Sequence, residues 1–269
     1  MPLLFTSLFA SGPLGSASAP VAPDFIWTDG LLYRFSASTA VFADTEGTVA
    51  AGDMDPVARW GNLGAREDAT QPLPASRPRL RSGGLNGRPY LSCDSGFAQC
   101  FEDLAFAQAA GTTTIAPFTV FAVTDAIDLE DKTPALLGAP LALGGKVSLY
   151  FRAPAGEQIH WIKSQIRVGT LANPQLLMAA VGRNAAGAST TPHTRLWLRQ
   201  NREDIFAGTS QSASLTSTAI ASTQFLRSTG LAAGHFHGHL YEFLLYDGTL
   251  DTPTTFAIED WLMARYGLG

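Results

Sequence analysis

The segment GHLYEFLLYDGTLDTPTTFAIEDWLMARYGLG, residues 238–269, is the most informative part of the chain because its pattern predicts a strand followed directly by a helix. Its first half is an apolar run with polar interruptions, which is typical of a β-strand in a sandwich. Its second half has helical spacing, and one face of the predicted helix is formed by Ile258, Trp261, Leu262 and Tyr266. We therefore expect the chain to close with a short helix packed on a sheet.

The sequence also indicates where this helix begins and ends. Thr252 is the expected N-cap, Pro253 the first helical residue and Gly267 the stop. No second helix signal of this strength occurs upstream, where short apolar runs alternate with turn residues. In the clearest strand, Phe118, Val120 and Ala122 share one face, and Thr119, Phe121 and Val123 share the other.

Composition agrees with an all-β domain. The chain has 269 residues, of which 26 are Gly and 16 are Pro, with 46% hydrophobic and 15% charged side chains. This predicts a two-sheet antiparallel jelly-roll sandwich over residues 24–269, with the short C-terminal helix and an extended N-terminal arm. A net charge of −5 without a basic run argues against a nucleic-acid partner, and no apolar stretch predicts a membrane span.

The sequence predicts that residues 1–23 form an apolar anchoring arm. Its large apolar side chains are Leu3, Leu4, Phe5, Leu8 and Phe9. A secretory signal has a positive first region, but no Lys or Arg precedes Arg34. We expect the arm to dock on a neighbouring subunit, which makes the protein oligomeric within an assembly.

Two segments, residues 56–96 and 238–269, resemble concanavalin A-like lectin/glucanase domains of the laminin-G-like type, as found in secreted bacterial proteins and in phage tail and head-fibre proteins. The resemblance is carried by Trp60, Ala69, Gln71, Arg77, Pro78, Asn86, Gly87, Pro89, Gly238, Glu242, Tyr246, Asp247, Tyr266 and Gly267. It implies the concanavalin A-like sandwich. Residues 61–64 and 93–96 depart from the family pattern, so no calcium or sugar site is carried over from the family.

Catalytic motifs are weak. The glucanase side of this family uses paired carboxylates on one strand, and Asp128 and Glu130 fit two of those positions, but Ala126 stands where the nucleophile belongs. The chain has no GxSxG, P-loop or HExxH motif. The sequence therefore predicts that the protein is not an enzyme and has no cofactor.

Glycan binding is a candidate function. Trp161 and Trp197 lie on predicted strands, and each is either an exposed aromatic platform for a sugar or a core residue. Arg195 and Arg199 flank Trp197 and either bind an anionic sugar or cover an outer face. The sequence leaves both alternatives open.

Three histidines alternate in the stretch GHFHGHLYEFLLYDG, residues 234–248. His235 and His237 are a weak candidate pair for a metal ion, whereas His239 is roughly 13 Å from His235 along a strand and too far to share it. The alternative is that all three form the polar face of a strand. Cys93 and Cys100 are either disulfide-bonded or two buried thiols.

Together these observations predict a non-enzymatic structural protein of a virion, such as a head decoration, fibre or tail-tip component. Its arm would bind other subunits, and its sandwich would face outward at the particle surface and adhere to host-surface glycans. The alternative is a secreted, extracellular carbohydrate-binding or adhesion module. A glycan hydrolase ranks third.

Overall fold

The structure is a computed structural model that describes residues 30–94, 98–101, 104–105, 118–127, 135–140, 146–152, 158–161, 166–169, 174–183, 194–210, 222–227 and 235–269. These residues form three antiparallel sheets and one α-helix. The predicted arm, residues 1–23, and the predicted acids Asp128 and Glu130 lie outside the described residues.

The largest sheet has eight strands. They are β1 (Leu31–Ser36), β5 (Arg79–Arg81), β6 (Tyr90–Cys93), β8 (Phe118–Asp125), β13 (Gln175–Arg183), β14 (Thr194–Gln200), β15 (Glu203–Ser210) and β17 (Gly238–Asp247). Their order is β15-β14-β13-β8-β17-β6-β5, and β1 also pairs with β17. The strand of the opening segment is therefore central, since it pairs with β1, β6 and β8.

The second sheet has six strands. They are β7 (Leu104–Ala105), β9 (Ala135–Pro140), β10 (Lys146–Arg152), β11 (Gln158–Trp161), β12 (Ile166–Gly169) and β16 (Ser222–Phe225), in the order β12-β11-β10-β9-β16-β7. A small third sheet contains β2 (Val41–Phe42), β3 (Arg59–Trp60) and β4 (Ala69–Thr70).

The central strand β8 of the large sheet is buried on both faces. Phe118, Val120 and Ala122 of β8 pack in the core between the sheets, together with Leu136 of β9 and Phe225 of β16. The opposite face of the same strand, with Phe121 and Val123, packs under the helix α1 (Thr252–Tyr266). The predicted division of this strand into two faces is confirmed, and double coverage explains why both faces are apolar.

The predicted all-β antiparallel sandwich with a C-terminal helix is confirmed. The helix buries the predicted face and ends at Gly267, whose φ of 65° is left-handed. Its N-cap differs from the prediction, because Asp251 rather than Thr252 has the extended backbone and accepts a hydrogen bond from the Thr254 amide at 2.8 Å. No helix among the described residues is long and apolar enough to cross a membrane.

Cys93 and Cys100 are both buried, and no disulfide joins them. Burial raises the pKa of the Cys93 thiol, and the neighbouring Cys100 adds to the effect. Of the two alternatives left open by the sequence, the structure has the pair of buried thiols.

Candidate functional site

The three alternating histidines do not lie on one strand, which corrects the prediction of a shared face. Strand β17 begins at Gly238, so only His239 belongs to it, while His235 makes an isolated bridge with Arg227. Gly238 has a φ of 148°, and a Cβ there would lie 3.0 Å from Cα of Ile127. This close crossing breaks the alternation expected from the sequence.

The predicted metal pair, His235 and His237, therefore lacks the strand geometry on which it rested. Burial lowers the pKa of His235, and the charge of Arg227 lowers it further. Within the described parts of the chain, no three His, Cys, Asp or Glu side chains are grouped so that they could hold a metal ion.

His239 belongs to a different group of side chains, which we call the strand-end cluster: Asp53, Arg81, Tyr90, Asp125 and His239. Strand pairing assembles it, because Arg81 lies opposite Tyr90 and His239 lies opposite Asp125. Asp125 follows Val123 by two residues, so the cluster lies on the helix side of the large sheet. The Tyr90 ring packs on the His239 ring with 4.2 Å between centroids.

Two pairs of ionisable side chains in the cluster are too far apart to form hydrogen bonds. Arg81 Nε lies 3.8 Å from Asp53 Oδ1, and His239 Nδ1 lies 3.9 Å from Asp125 Oδ2. Both nitrogen atoms are buried and have no hydrogen-bond partner among the described residues. Both atoms are closed to solvent, so a ligand could reach only the exposed groups of the cluster.

The cluster is nevertheless open to solvent. Side-chain exposure is 40% for Arg81, 51% for Asp53, and 27% for both His239 and Asp125. Tyr90 is half-buried between Gly84, Tyr241 and His239. A ligand can therefore reach an aromatic ring and four polar groups at one place.

Burial and neighbouring groups shift the pKa values of two residues in the cluster, His239 and Asp53. Burial lowers the pKa of His239; Asp125 opposes this shift, while Arg81 and His237 add to it, so the imidazole is neutral at neutral pH. Hydrogen bonds from Ser82 and the charge of Arg81 lower the pKa of Asp53. The cluster therefore offers neutral and cationic donors beside an ionised carboxylate.

Strained backbone lies beside both acids of the cluster. Met54, next to Asp53, has a φ of 72°, and Ala126, next to Asp125, has a φ of 48°. Both residues are exposed, and a positive φ is uncommon for residues other than glycine. Six other non-glycine residues among those described also have a positive φ, so this strain alone does not single out the cluster.

The predicted glycan-binding residues are not brought together in this way. Trp161 lies on β11 of the second sheet, whereas Arg195, Trp197 and Arg199 lie on β14 of the large sheet. Trp197 is half-buried, and its indole nitrogen donates to Asp204 Oδ1 at 2.8 Å. The predicted residues therefore do not form one surface.

The structure does not support Arg199 as a glycan-binding residue. It is buried, and its Nε donates to Glu259 Oε1 of α1 at 2.9 Å. Its remaining nitrogens donate to Asp204 and to the backbone carbonyl of Arg202, and its guanidinium lies 4.5 Å from the Phe256 ring centre. Arg199 therefore holds α1 against the sheet, and all three of its side-chain nitrogens already have partners within the protein.

Sequence reasoning missed four of the five cluster residues, Asp53, Arg81, Tyr90 and Asp125. Each is an ordinary residue in its own segment, and no local spacing marks it. The only signal was His239, whose partners become visible once β5, β6, β17 and β8 are known to be neighbours.

No family model and no curated protein matches this chain. Among solved structures, it is similar to Trypanosoma rangeli sialidase in complex with 2,3-difluoro-KDN, at 14% identity and a TM-score of 0.50, over 97% of this chain and 36% of the sialidase chain. It is also similar to a GH54 α-L-arabinofuranosidase variant soaked with 4-nitrophenyl α-L-arabinofuranoside, at 12% identity and a TM-score of 0.50, over 89% of this chain and 60% of that chain.

A third neighbour is domain 4 of AbnA, an extracellular arabinanase from Geobacillus stearothermophilus, solved with arabinotriose. The identity is 11% and the TM-score 0.42, over 86% of this chain and 98% of the domain. The chain thus spans about a third of the sialidase and 60% of the arabinofuranosidase. Similarity at this level of identity shows a shared fold.

Two of these neighbours contradict the prediction that the protein is not an enzyme, because they are a sialidase and an α-L-arabinofuranosidase. That prediction rested on Ala126 in a single segment. The resemblance to laminin-G-like domains stays a prediction. What the comparisons do establish is that this chain shares its sandwich fold with parts of carbohydrate-active proteins.

Proposed function

We propose that this domain binds glycans and that the strand-end cluster is its binding surface. The observation that carries the proposal is the partly exposed Tyr90 ring, which packs on His239 with 4.2 Å between ring centroids, in a cluster whose polar side chains are 27–51% exposed. Sugars offer hydroxyl groups to exposed polar side chains and C–H faces to aromatic rings. The fold shared with parts of a sialidase and an arabinofuranosidase supports the same function.

The cluster is a better candidate than the surface around Trp197. There the indole nitrogen and the guanidinium of Arg199 already have partners within the protein. Binding a sugar at Trp197 would require breaking these contacts, whereas a sugar can contact the partly exposed Tyr90 ring without breaking them.

The virion role predicted from the sequence is a separate matter. It depends on residues 1–23, which lie outside the described residues, and no contact among the described residues favours it. Either predicted location, a particle surface or the extracellular space, would give the cluster access to cell-surface glycans.

The proposal is tested by electrophoresis of the full chain in gels that contain soluble arabinan, xylan, galactan, starch, polygalacturonate or alginate. We expect retardation by at least one polysaccharide. Arg81→Gln and His239→Gln should each weaken it about tenfold, the effect of about 1.4 kcal/mol, within the range for one lost hydrogen bond. The matched control is Arg202→Gln, which changes an exposed arginine outside the cluster and should bind normally.

No retardation in any gel would contradict the proposal. So would normal retardation of both cluster variants, since the glycan would then bind elsewhere.

A further inference from the structure

We propose that Cys93 and Cys100 form a disulfide bond when the chain folds in an oxidising environment, and that this bond ties strand β6 to the segment that follows it. Cys93 is the last residue of β6, and Cys100 lies in that segment. The two buried thiols of the structure are then the reduced state of the pair. This role in stability is independent of glycan binding.

The chain turns back on itself between the two cysteines. The amide of Gln99 donates to the carbonyl oxygen of Asp94 at 3.4 Å, and the amide of Asp94 donates to Oε1 of Gln99 at 2.7 Å. Asp94 follows Cys93 and Gln99 precedes Cys100, so these hydrogen bonds join the immediate neighbours of the cysteines. An extended chain would separate the two Cα atoms by about 23 Å, whereas a disulfide requires about 4.4–6.8 Å. The turn therefore brings the cysteines toward bonding distance.

The two side chains also share one part of the core. Alternation along β6 places Cys93 on the same face as Leu91, which packs between the two sheets. Cys93 is 2% exposed and Cys100 is 4% exposed, and both belong to this core. Burial raises the pKa of the Cys93 thiol, and Cys100 raises it further, as a nearby ionisable group does. Both thiols therefore lie close together in the same apolar surroundings.

The position of Cys100 is fixed by hydrogen bonds to other parts of the chain. Its amide donates to the carbonyl oxygen of Ser76 at 3.1 Å, and its own carbonyl oxygen accepts from Nε2 of Gln71 at 3.0 Å. Gln71 is buried and directly follows β4. A bond from Cys93 to Cys100 would therefore connect β6 of the large sheet with a segment that is hydrogen-bonded to the end of the small third sheet.

The oxidant that we assign to the reaction is a small organic disulfide such as oxidised glutathione, and the reaction is a thiol–disulfide exchange in two steps. The thiolate of one cysteine attacks a sulfur of oxidised glutathione, forms a mixed disulfide and expels one glutathione thiolate. The thiolate of the other cysteine attacks the cysteine sulfur of the mixed disulfide and expels the second. The two glutathione thiolates take up the two protons that the cysteines lost. The cysteine pair is oxidised by two electrons, and glutathione is reduced by two.

The exchange takes place before the core forms. The attacking group is a thiolate, and burial both raises the pKa of the Cys93 thiol and keeps glutathione away from the two sulfur atoms. The unfolded chain exposes both thiols, whereas the folded, reduced protein should react slowly. The bond therefore depends on the conditions under which the chain folds.

The test is refolding of the full chain from urea in a mixture of oxidised and reduced glutathione, and in parallel in a reducing agent. The chain has two cysteines, so in glutathione we expect a monomer with no titratable thiol after denaturation and a mass lower by two hydrogen atoms. Its Tm should lie roughly 5–10 °C above that of the reduced protein, because closing a loop lowers the entropy of the unfolded chain. The control is the Cys93→Ala, Cys100→Ala double variant, whose Tm should be the same in both buffers.

Four results would count against the proposal. Two titratable thiols, or a mass increase from attached glutathione, would show that the cysteines do not reach each other. Disulfide-linked dimers would show that the bond forms between chains. Equal Tm values for the oxidised and the reduced protein would show that the bond does not hold β6 to the following segment. Oxidation of the folded, reduced protein as fast as that of the unfolded chain would show that the core does not protect the thiols.

Discussion

Arg34 Nε donates a hydrogen bond to Oε1 of Glu242 at 2.8 Å, and both side chains are buried. Arg265 Nε lies 3.1 Å from the other oxygen of Glu242, and the Tyr266 hydroxyl donates to that oxygen as well. One carboxylate thereby links β1, β17 and α1. The helix is held on the sheet by this contact as well as by its apolar face.

Replacing Glu242 with Leu should be strongly destabilising, because Arg34 and Arg265 would then be buried without a counter-charge. We expect the free energy of unfolding to fall by roughly 3–5 kcal/mol. Urea denaturation followed by circular dichroism measures it. Asp260→Asn is the control, since it breaks an ion pair with Arg202 in which both side chains are more than half exposed, and its effect should stay below about 1 kcal/mol. Equal stability of the two variants would show that Glu242 is not needed to hold the helix.

Arg199→Gln should separate stability from binding. The substitution leaves the buried Glu259 without its partner, and we expect a loss of roughly 3–5 kcal/mol in urea denaturation. Glycan binding by the protein that remains folded should equal that of the wild type, because Arg199 is not part of the strand-end cluster. A loss of binding at unchanged stability would instead support the sequence-based assignment of Arg199 to a glycan site.

Gly84→Ala should weaken glycan binding through Tyr90. A Cβ at this position would lie 2.6 Å from Cδ1 of Tyr90 and 2.6 Å from the hydroxyl oxygen of Tyr241, so the rings must move. We expect a loss of about tenfold or more in affinity by titration calorimetry, since a 1 Å displacement in a binding site is costly. Gly269→Ala is the control, because its Cβ would meet no atom within 4 Å. Full affinity in the Gly84 variant would mean that the position of Tyr90 does not matter.

Stability should fall as the pH drops below 6.5. Burial is the main cause that lowers the pKa of His235 and of His239 from 6.5, so the unfolded chain takes up protons there before the folded protein does. The stabilising contribution of both groups is thus complete above pH 6.5 and is lost as the pH falls through the folded-state values. Thermal unfolding at about pH 7.5 and pH 5.5 should show a smaller decrease in Tm for the His235→Gln, His239→Gln double variant than for the wild type. An equal decrease in both proteins would assign the pH dependence to other groups.

The parts of the fold with regular periodicity were predictable. The buried face of α1 and the two faces of β8 follow from 3.6- and 2-residue spacing, which depends on local geometry alone. The N-cap was misplaced by one residue because Asp251 and Thr252 are both good caps, and spacing does not tell which has the extended backbone. The prediction that the three histidines share one strand face was wrong for a similar reason. Their alternation does not show where the strand begins, and β17 begins only at Gly238.

The strand-end cluster could not be predicted, because its residues come from β5, β6, β8 and β17 and from a loop before β3. Periodicity tells which face a side chain occupies but not which strands are neighbours. The prediction for Arg199 failed because sequence does not show what covers a strand face. Arg199 and Trp197 are two residues apart and share a face that was expected to be an outer surface. Helix α1 covers this face, so Arg199 is buried in an ion pair.

The most direct test of glycan binding at the strand-end cluster is a titration followed by two-dimensional amide NMR spectra of the full chain. The ligand is an oligosaccharide from the polysaccharide that retards the protein most. We predict saturable shifts of the signals of Arg81, Tyr90, Asp125 and His239, with little change at Trp197 and Phe256. Shifts centred on Trp197 and Phe256, or no saturable shifts with any glycan tested, would contradict the account.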